Sequence, residues 1–205
     1  IRSRGLGDVY KRQNMKNIGH RLGASGTPLE NTLAGLNNSL GLVDKRWFKY
    51  WEFDVRESSD GVLFVFHDDE IPIEGSPVKT WEVDFETIVI AGRAIDIEIP
   101  SFVQVVEALQ DSTEAVMIDV KWVQSDTCRE ILFSAASQNK DWKLMATPER
   151  FLVSFPDGIQ RTWSERADAL GVEFVRVGRH RINLFKARST PFRWWWASPK
   201  WLFGL

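Results

Sequence analysis

Residues 50–56 constrain the fold more than any other part of this sequence, because they mix charged and bulky apolar side chains. In a strand, side chains alternate sides, so Glu52 and Asp54 share one face while the aromatic and aliphatic residues around them share the other. Parallel strands of an open α/β sheet are normally apolar on both faces. A barrel resolves the conflict, because apolar side chains then meet the outer helices and acidic ones line the interior near the carboxyl ends of the strands.

The same alternation recurs in residues 115–121, where Asp119 and Lys121 fall on one face. Three carboxylates that converge from two strands repel one another unless they are protonated or bound to a cation. A ligand set made only of oxygen atoms selects a hard ion such as Mg²⁺ or Ca²⁺ over zinc. Alternatively, these acids form ion pairs with Arg21, Arg56 or Lys121. The residues alone leave both interpretations open.

Strand-like and helix-like segments alternate along the chain. Strands are predicted at residues 15–20, 50–56, 62–67, 115–121, 151–155 and 173–177, and helices at residues 30–42, 101–110, 127–138 and 160–170. The stretch 70–99 is interpreted as irregular, either an inserted loop or a small subdomain. This order indicates parallel βα units, and the predicted fold class is therefore α/β, a TIM-type (β/α)₈ barrel. No glycine-rich phosphate-binding motif follows a predicted strand, which argues against a dinucleotide or P-loop site.

The domain boundaries follow from the two ends of the chain. Residues 1–13 lack an apolar period and resemble a translated sequencing adaptor, so residues 14–205 are taken as one native domain. A complete barrel of this type takes about 250 residues and eight strands. Because six barrel strands are predicted, we expect the barrel to be truncated at its C-terminus. A strand that begins at Met15 leaves no room for a secretion signal, so we expect a cytoplasmic protein.

Charge and composition exclude several classes of partner. The chain has 26 Lys and Arg residues against 28 Asp and Glu residues, a net charge of −2, whereas a nucleic-acid binder needs a basic excess. The lone Cys128 cannot form an internal disulfide. Residues 191–203 are rich in tryptophan beside Arg and Lys, a composition that suits contact with a membrane surface. Packing against the barrel is the alternative, and we favour it because the segment lacks an amphipathic helical pattern.

Six short motifs follow one another along the chain. They read Gly19-His20-Arg21, Pro28-Leu29-Glu30-Asn31-Thr32, Glu52-Phe53-Asp54-Val55, Asp60-Gly61, His67-Asp68 and Asp119-Val120-Lys121. In this order and spacing the chain resembles the glycerophosphodiester phosphodiesterase family, densely over residues 15–121 and more weakly beyond. The resemblance implies a barrel fold, one divalent cation, Mg²⁺ or Ca²⁺, and a small glycerophosphodiester as substrate.

The resemblance implies a set of metal ligands, with departures from the usual pattern. Glu52, Asp54 and Asp119 would bind the cation. Asp119 stands where the family usually has glutamate, and its side chain is one methylene shorter, which affects the expected metal preference. Leu22 replaces the usual glycine after His-Arg, and Leu29 is inserted in the second motif.

The resemblance also implies catalytic and phosphate-binding residues. His20 and His67 would act as general acid and base on opposite sides of the phosphate, a role that suits histidine because its pKa lies near neutral pH. Arg21 and Lys121 would neutralise phosphate oxygens. For Glu30 three alternatives stay open: it accepts a hydrogen bond from Arg21, joins the metal ligands or caps the following helix.

The implied reaction is hydrolysis of a glycerophosphodiester to glycerol 3-phosphate and an alcohol. One alternative is a lysophospholipase D or sphingomyelinase D-like activity, because members of the latter group resemble this chain in having aspartate as the third ligand. Another alternative is a catalytically silent barrel that binds phosphoesters. The presence of both His20 and His67 argues against the silent protein.

Overall fold

The computed structural model describes residues 17–189, which form a central sheet flanked by helices. The strands are β1 (Trp51–Glu57), β2 (Leu63–Val65), β3 (Glu70–Ile73), β4 (Ser76–Lys79), β5 (Val116–Trp122), β6 (Trp142–Ala146), β7 (Phe174–Arg176) and β8 (Arg179–Asn183). The helices are α1 (Leu33–Ser39), α2 (Phe85–Ala94), α3 (Phe102–Leu109), α4 (Asp126–Ser137), α5 (Pro148–Ser154), α6 (Asp157–Leu170) and α7 (Leu184–Arg188), with short 3₁₀ helices at Leu40–Leu42 and Thr80–Glu82. None of these helices combines the length and the apolar character needed to cross a membrane. The adaptor-like segment 1–13 and the tryptophan-rich segment 191–203 lie outside the described residues.

The central sheet has six strands in the order β2-β1-β5-β6-β7-β8. Its inner strands β1, β5, β6 and β7 are parallel neighbours, and β2 and β8 flank them in antiparallel orientation. Helices lie between successive parallel strands, as βα units require. Within residues 17–189 the sheet does not close on itself. The predicted α/β class is confirmed, and the open sheet is consistent with an incomplete (β/α)₈ barrel.

One face of β1 and β5 forms the main core with the helices. Trp51, Phe53 and Val55 of β1 are buried, and the ring of Phe53 lies 6.1 Å from that of Phe102 on α3. The alternate apolar residues of β5 are buried in the same core. Full burial of one such side chain contributes about 1.5–3 kcal/mol. This face therefore fixes the orientation of both strands and turns their acidic residues to the opposite face.

The prediction of a strand at residues 151–155 is wrong, because these residues belong to α5 and its C-cap. The strand in this part of the chain is β6, which precedes α5. The hydroxyl of Thr147 caps α5 by accepting a hydrogen bond from the backbone N–H of Arg150 (3.3 Å), and a proline takes the first helical position. Phe151 and Phe155 lie one helical turn apart and are both buried. A short apolar run fits a buried helix as well as a strand, so periodicity alone could not separate the two.

The described part of the predicted strand at residues 15–20 is a turn, so that prediction is also wrong. The turn nevertheless runs beside β1: the Glu52 N–H donates to the Gly19 carbonyl (3.0 Å), and the Leu22 N–H donates to the Glu52 carbonyl (2.8 Å). The extended conformation cannot continue, because Leu22 has a φ of 57°. The approach is so close that a Cβ atom on Gly19 would lie 2.2 Å from the carbonyl oxygen of Tyr50.

Strand β2, predicted as a barrel strand at residues 62–67, pairs with β1 in antiparallel orientation. Only residues 58–62 separate the two strands, whereas a parallel return needs a crossover of roughly a dozen residues or more. The stretch 70–99, predicted to be irregular, contains the hairpin β3–β4 and helix α2. Strand β8 and helix α7 follow residue 177, where no further element is predicted.

Candidate active site

Three buried carboxylates meet on the inner face of β1 and β5. Asp54 and Asp119 are direct partners in the parallel register of the two strands, and Glu52 lies two residues before Asp54 on the same face. One carboxylate oxygen from each residue lies within 4.8 Å of the others. The alternation of the strands thus brings together the three acids that the sequence placed on one face.

The acidic cluster carries more negative charge than its surroundings neutralise. Burial, and then the charges of Asp54 and Asp119, raise the pKa of Glu52 well above its ordinary value. Burial also raises the pKa of Asp119 to about 6, although Lys121 opposes this shift. Among residues 17–189, no group donates a hydrogen bond to the buried Oδ1 atom of Asp119. Three oxygen donors with an unsatisfied buried oxygen could hold a hard divalent cation.

The ion pairs that the sequence left open as an alternative are partly present. Lys121 Nζ lies 2.9 Å from Asp54 Oδ1 and 2.7 Å from Asp119 Oδ2. Burial alone would lower the pKa of Lys121, but the charges of the two aspartates outweigh it and raise that pKa. Arg21 Nε lies 3.6 Å from Asp54 Oδ2, whereas Arg56 pairs with Asp69 and not with the cluster. The cluster therefore accommodates one ammonium group directly between two of its acids.

Arg21 and Glu30 form a second layer around the acids. Arg21 Nη1 donates to Glu30 Oε1 (2.5 Å), and the Arg21 backbone N–H donates to Glu52 Oε2 (2.8 Å). Glu30 Oε2 also accepts a hydrogen bond from the backbone N–H of Gly26 (2.8 Å). Of the three alternatives for Glu30, the structure shows the contact with Arg21. The cap of α1 is Thr32, whose hydroxyl accepts from the third residue of the helix.

The two histidines lie on connecting segments beside the cluster. His20 Nε2 is 3.6 Å from Glu52 Oε2, and its Nδ1 hydrogen-bonds with the Ser25 hydroxyl (2.8 Å). Burial lowers the pKa of His20, although its side chain remains 46% exposed. His67 follows β2, its Nδ1 hydrogen-bonds with Asp68 Oδ1 (2.7 Å), and its side chain is 37% exposed. Both imidazoles are thus accessible to a ligand in solution.

Asn31 is a further site residue, which the sequence analysis named only as part of the second motif. Its side chain is buried, its Nδ2 donates to Asp54 Oδ2 (2.8 Å), and its Oδ1 accepts from the backbone N–H of Asp54 (3.3 Å). Burial opposes ionisation of Asp54, yet Lys121, Asn31 and, more weakly, His67 together lower its pKa. Asn31 has a φ of 61°, a left-handed conformation that asparagine tolerates better than most residues.

Fold and site together define an α/β protein of the barrel class with an acidic site suited to a divalent cation. Residues 20–154 match the sequence model of the Glycerophosphoryl diester phosphodiesterase family, and the chain belongs to this family. The family has a TIM-barrel fold. No sequence among curated proteins matches the chain.

Several solved structures are similar to this chain. A glycerophosphodiester phosphodiesterase from Agrobacterium tumefaciens is 23% identical with a TM-score of 0.53, and the match covers 77% of this chain and 63% of that one. A putative glycerophosphodiester phosphodiesterase from Galdieria sulphuraria is 15% identical with a TM-score of 0.52, over 80% of this chain and 65% of that one. At these identities the likeness shows the fold, and the chain spans less than two thirds of the length of either structure.

Proposed function

We propose that this domain hydrolyses glycerophosphodiesters to glycerol 3-phosphate and an alcohol, and that it requires one divalent cation. The convergence of three buried carboxylates within 4.8 Å, with two accessible histidines beside them, carries this proposal. Its support is the family membership together with the contacts that residues of the first two motifs and Lys121 make with the acids.

The acids of β1 and β5 would hold the cation. When bound, it would polarise the phosphoryl oxygens and lower the pKa of a coordinated hydroxyl group. Mg²⁺ and Ca²⁺ are the proposed ions, because the donor set consists of oxygen atoms. Asn31 would keep Asp54 oriented through its two hydrogen bonds. Lys121, which contacts Asp54 and Asp119, would turn its ammonium group from these aspartates toward phosphate oxygens, and Arg21 would also pair with the phosphate.

The histidines would move the protons. A lowered pKa keeps His20 neutral near pH 7, so we assign it the role of accepting the proton of the attacking hydroxyl group. The hydrogen bond to Asp68 fixes the His67 ring and leaves its Nε2 available to protonate the leaving alkoxide. The attacking group is water or the 2-hydroxyl of the glycerol moiety. Detection of a cyclic glycerophosphate during turnover would distinguish the two.

Release of glycerol 3-phosphate from glycerophosphocholine tests the proposal. We expect turnover with added Mg²⁺ or Ca²⁺ and none with EDTA. Asp119→Asn should weaken cation binding by roughly 10- to 100-fold or more. The matched control is Asp141→Asn, which alters an exposed aspartate and should leave turnover unchanged. Equal turnover with EDTA and with added cation would contradict the role of the cluster.

A lysophospholipase D or sphingomyelinase D-like activity is the second candidate, favoured by the aspartate at position 119. Lysophosphatidylcholine, offered in parallel with glycerophosphocholine, separates it from the first candidate. Faster release of choline from the lysolipid would favour the second activity. A silent binding protein would bind both compounds and hydrolyse neither.

A further inference from the structure

The charged side chain of Arg56 is buried. It continues the inner face of β1 beyond the acids, and its side chain is only 1% exposed. A buried charge destabilises a protein unless it is paired and hydrogen-bonded. The guanidinium of Arg56 finds its partners on one short segment: Nε donates to the Phe66 carbonyl (3.2 Å), and Nη2 donates to the His67 carbonyl (2.6 Å) and to Asp69 Oδ1 (2.6 Å). Three successive contacts thus fasten residues 66–69 to β1.

A second arginine reaches the same segment from another part of the fold. Arg150 on α5 donates from Nη2 to Asp69 Oδ1 (2.8 Å) and Oδ2 (2.7 Å), although 81 positions separate the two residues. Burial opposes ionisation of Asp69, but hydrogen bonds from Arg150 and Arg56 outweigh it and lower the pKa of Asp69 to about 2. Asp69 is therefore a carboxylate that joins two guanidinium groups at neutral pH.

His67 lies in the segment that these contacts hold, and the Phe66 N–H also donates to the Asp54 carbonyl (3.1 Å). Residues 66–69 connect β2 to β3 without regular secondary structure, and within residues 17–189 the imidazole hydrogen-bonds only with its exposed neighbour Asp68. We propose that Arg56, Asp69 and Arg150 are positioning residues that hold His67 in register with the acidic cluster. This inference rests on the proposed function. It adds a group of residues, drawn from β1, the β2–β3 connection and α5, that does not touch the substrate.

Substitutions at Arg150 test the inference with the least risk to folding, because this side chain is 31% exposed. In Arg150→Met, kcat for glycerophosphocholine should fall by roughly 10- to 100-fold, the usual effect of misplacing a reacting group by about 1 Å. KM should stay within about twofold, because substrate contacts are retained. Arg150→Lys should recover part of kcat, since lysine keeps the charge but lacks the planar fork of donors. Arg161→Met is the matched control, because Arg161 is exposed and pairs only with Glu165 among described residues.

Asp69→Asn provides an independent variant that acts on the same contacts. It keeps the size of the side chain and removes the charge that binds both arginines, so it should reproduce the loss of kcat. If Arg150→Met proves too unstable to assay, the kcat of Asp69→Asn, compared with that of Arg150→Lys, tests the inference instead. A kcat within about twofold of wild type in folded Arg150→Met or folded Asp69→Asn would overturn the inference.

A spectroscopic measurement keeps this test separate from the proposed function. The chain contains three histidines, so the ¹H–¹³C correlations of each imidazole can be resolved and assigned. In Arg150→Met the His67 signal should shift or broaden while those of His20 and His180 stay in place, and Arg161→Met should change none of them. If wild-type protein releases no glycerol 3-phosphate, the proposed function fails. An unchanged His67 signal in Arg150→Met overturns the positioning role whether or not the protein is active.

Discussion

Replacing Lys121 with methionine should make the stability of this protein depend on a divalent cation. The ammonium group lies within 2.9 Å of two buried aspartates, and the Lys121 side chain is 16% exposed. Removal of one partner from a buried ion pair costs about 3–5 kcal/mol, because the remaining charge stays uncompensated. Since Lys121 is partly exposed, we expect a loss near the lower limit, about 3 kcal/mol, when the protein is kept in EDTA.

The same substitution should strengthen cation binding, because the ion no longer competes with an ammonium group for Asp54 and Asp119. A ligand present at about 100 times its Kd stabilises the native state by about 2.7 kcal/mol, which would recover most of the loss. Wild-type protein should gain less at the same Mg²⁺ concentration, because the ion must first displace Lys121. The metal-free variant should therefore be the least stable of the four samples.

Urea denaturation followed by tryptophan fluorescence measures these differences, with and without Mg²⁺. The matched control is Lys143→Met, because Lys143 pairs with the largely exposed Glu173. A surface pair of this kind contributes about 0–1 kcal/mol, and its loss should not depend on Mg²⁺. The reasoning would be refuted if the two variants lost equal free energy of unfolding. It would also be refuted if Mg²⁺ did not reduce the loss in Lys121→Met.

Two further predictions concern proton transfer and pH. His67→Ala should lower kcat by roughly 10²–10⁴-fold, the usual effect of removing a positioned acid or base, with little change in the urea midpoint; near-normal turnover with cation bound would contradict its role. In the folded protein the pKa of Asp119 is raised from 3.8 to about 6, so ionisation is less favourable there than in the unfolded chain. The metal-free protein should therefore lose stability, about 3 kcal/mol, as pH rises from about 4 through about 6. Urea midpoints across this range check the second prediction, and a rise with pH would contradict it.

The acidic cluster could be predicted from sequence because its geometry depends on local alternation. Once residues 50–56 and 115–121 are assigned as strands, burial of one face decides where Glu52, Asp54 and Asp119 point. The parallel pairing of β1 with β5 then brings the acids of the two strands together. The first step follows from strand geometry alone, whereas the second depends on the pairing of Asp54 with Asp119, which is distant in sequence.

The features that sequence reasoning missed depend on tertiary contacts. The ion pair of Asp69 with Arg150 joins the β2–β3 connection to α5. Neither residue lies in a sequence pattern that indicates the other. Asn31 contacts Asp54, 23 positions further along the chain, from a left-handed backbone conformation. The predicted strand at residues 151–155 failed for a different reason: a short apolar run has no periodicity that excludes a helix.

The charges around the site explain why protons, lysine and a divalent cation compete for it. Four carboxylates, those of the cluster and Glu30, face two cationic side chains, Arg21 and Lys121. If all are ionised, two negative charges remain, which is the charge that one divalent cation neutralises. Without the ion, burial raises the pKa of Glu52 and Asp119, so the protein takes up protons instead. Cation binding must then release protons, and it should weaken as the pH falls below about 6.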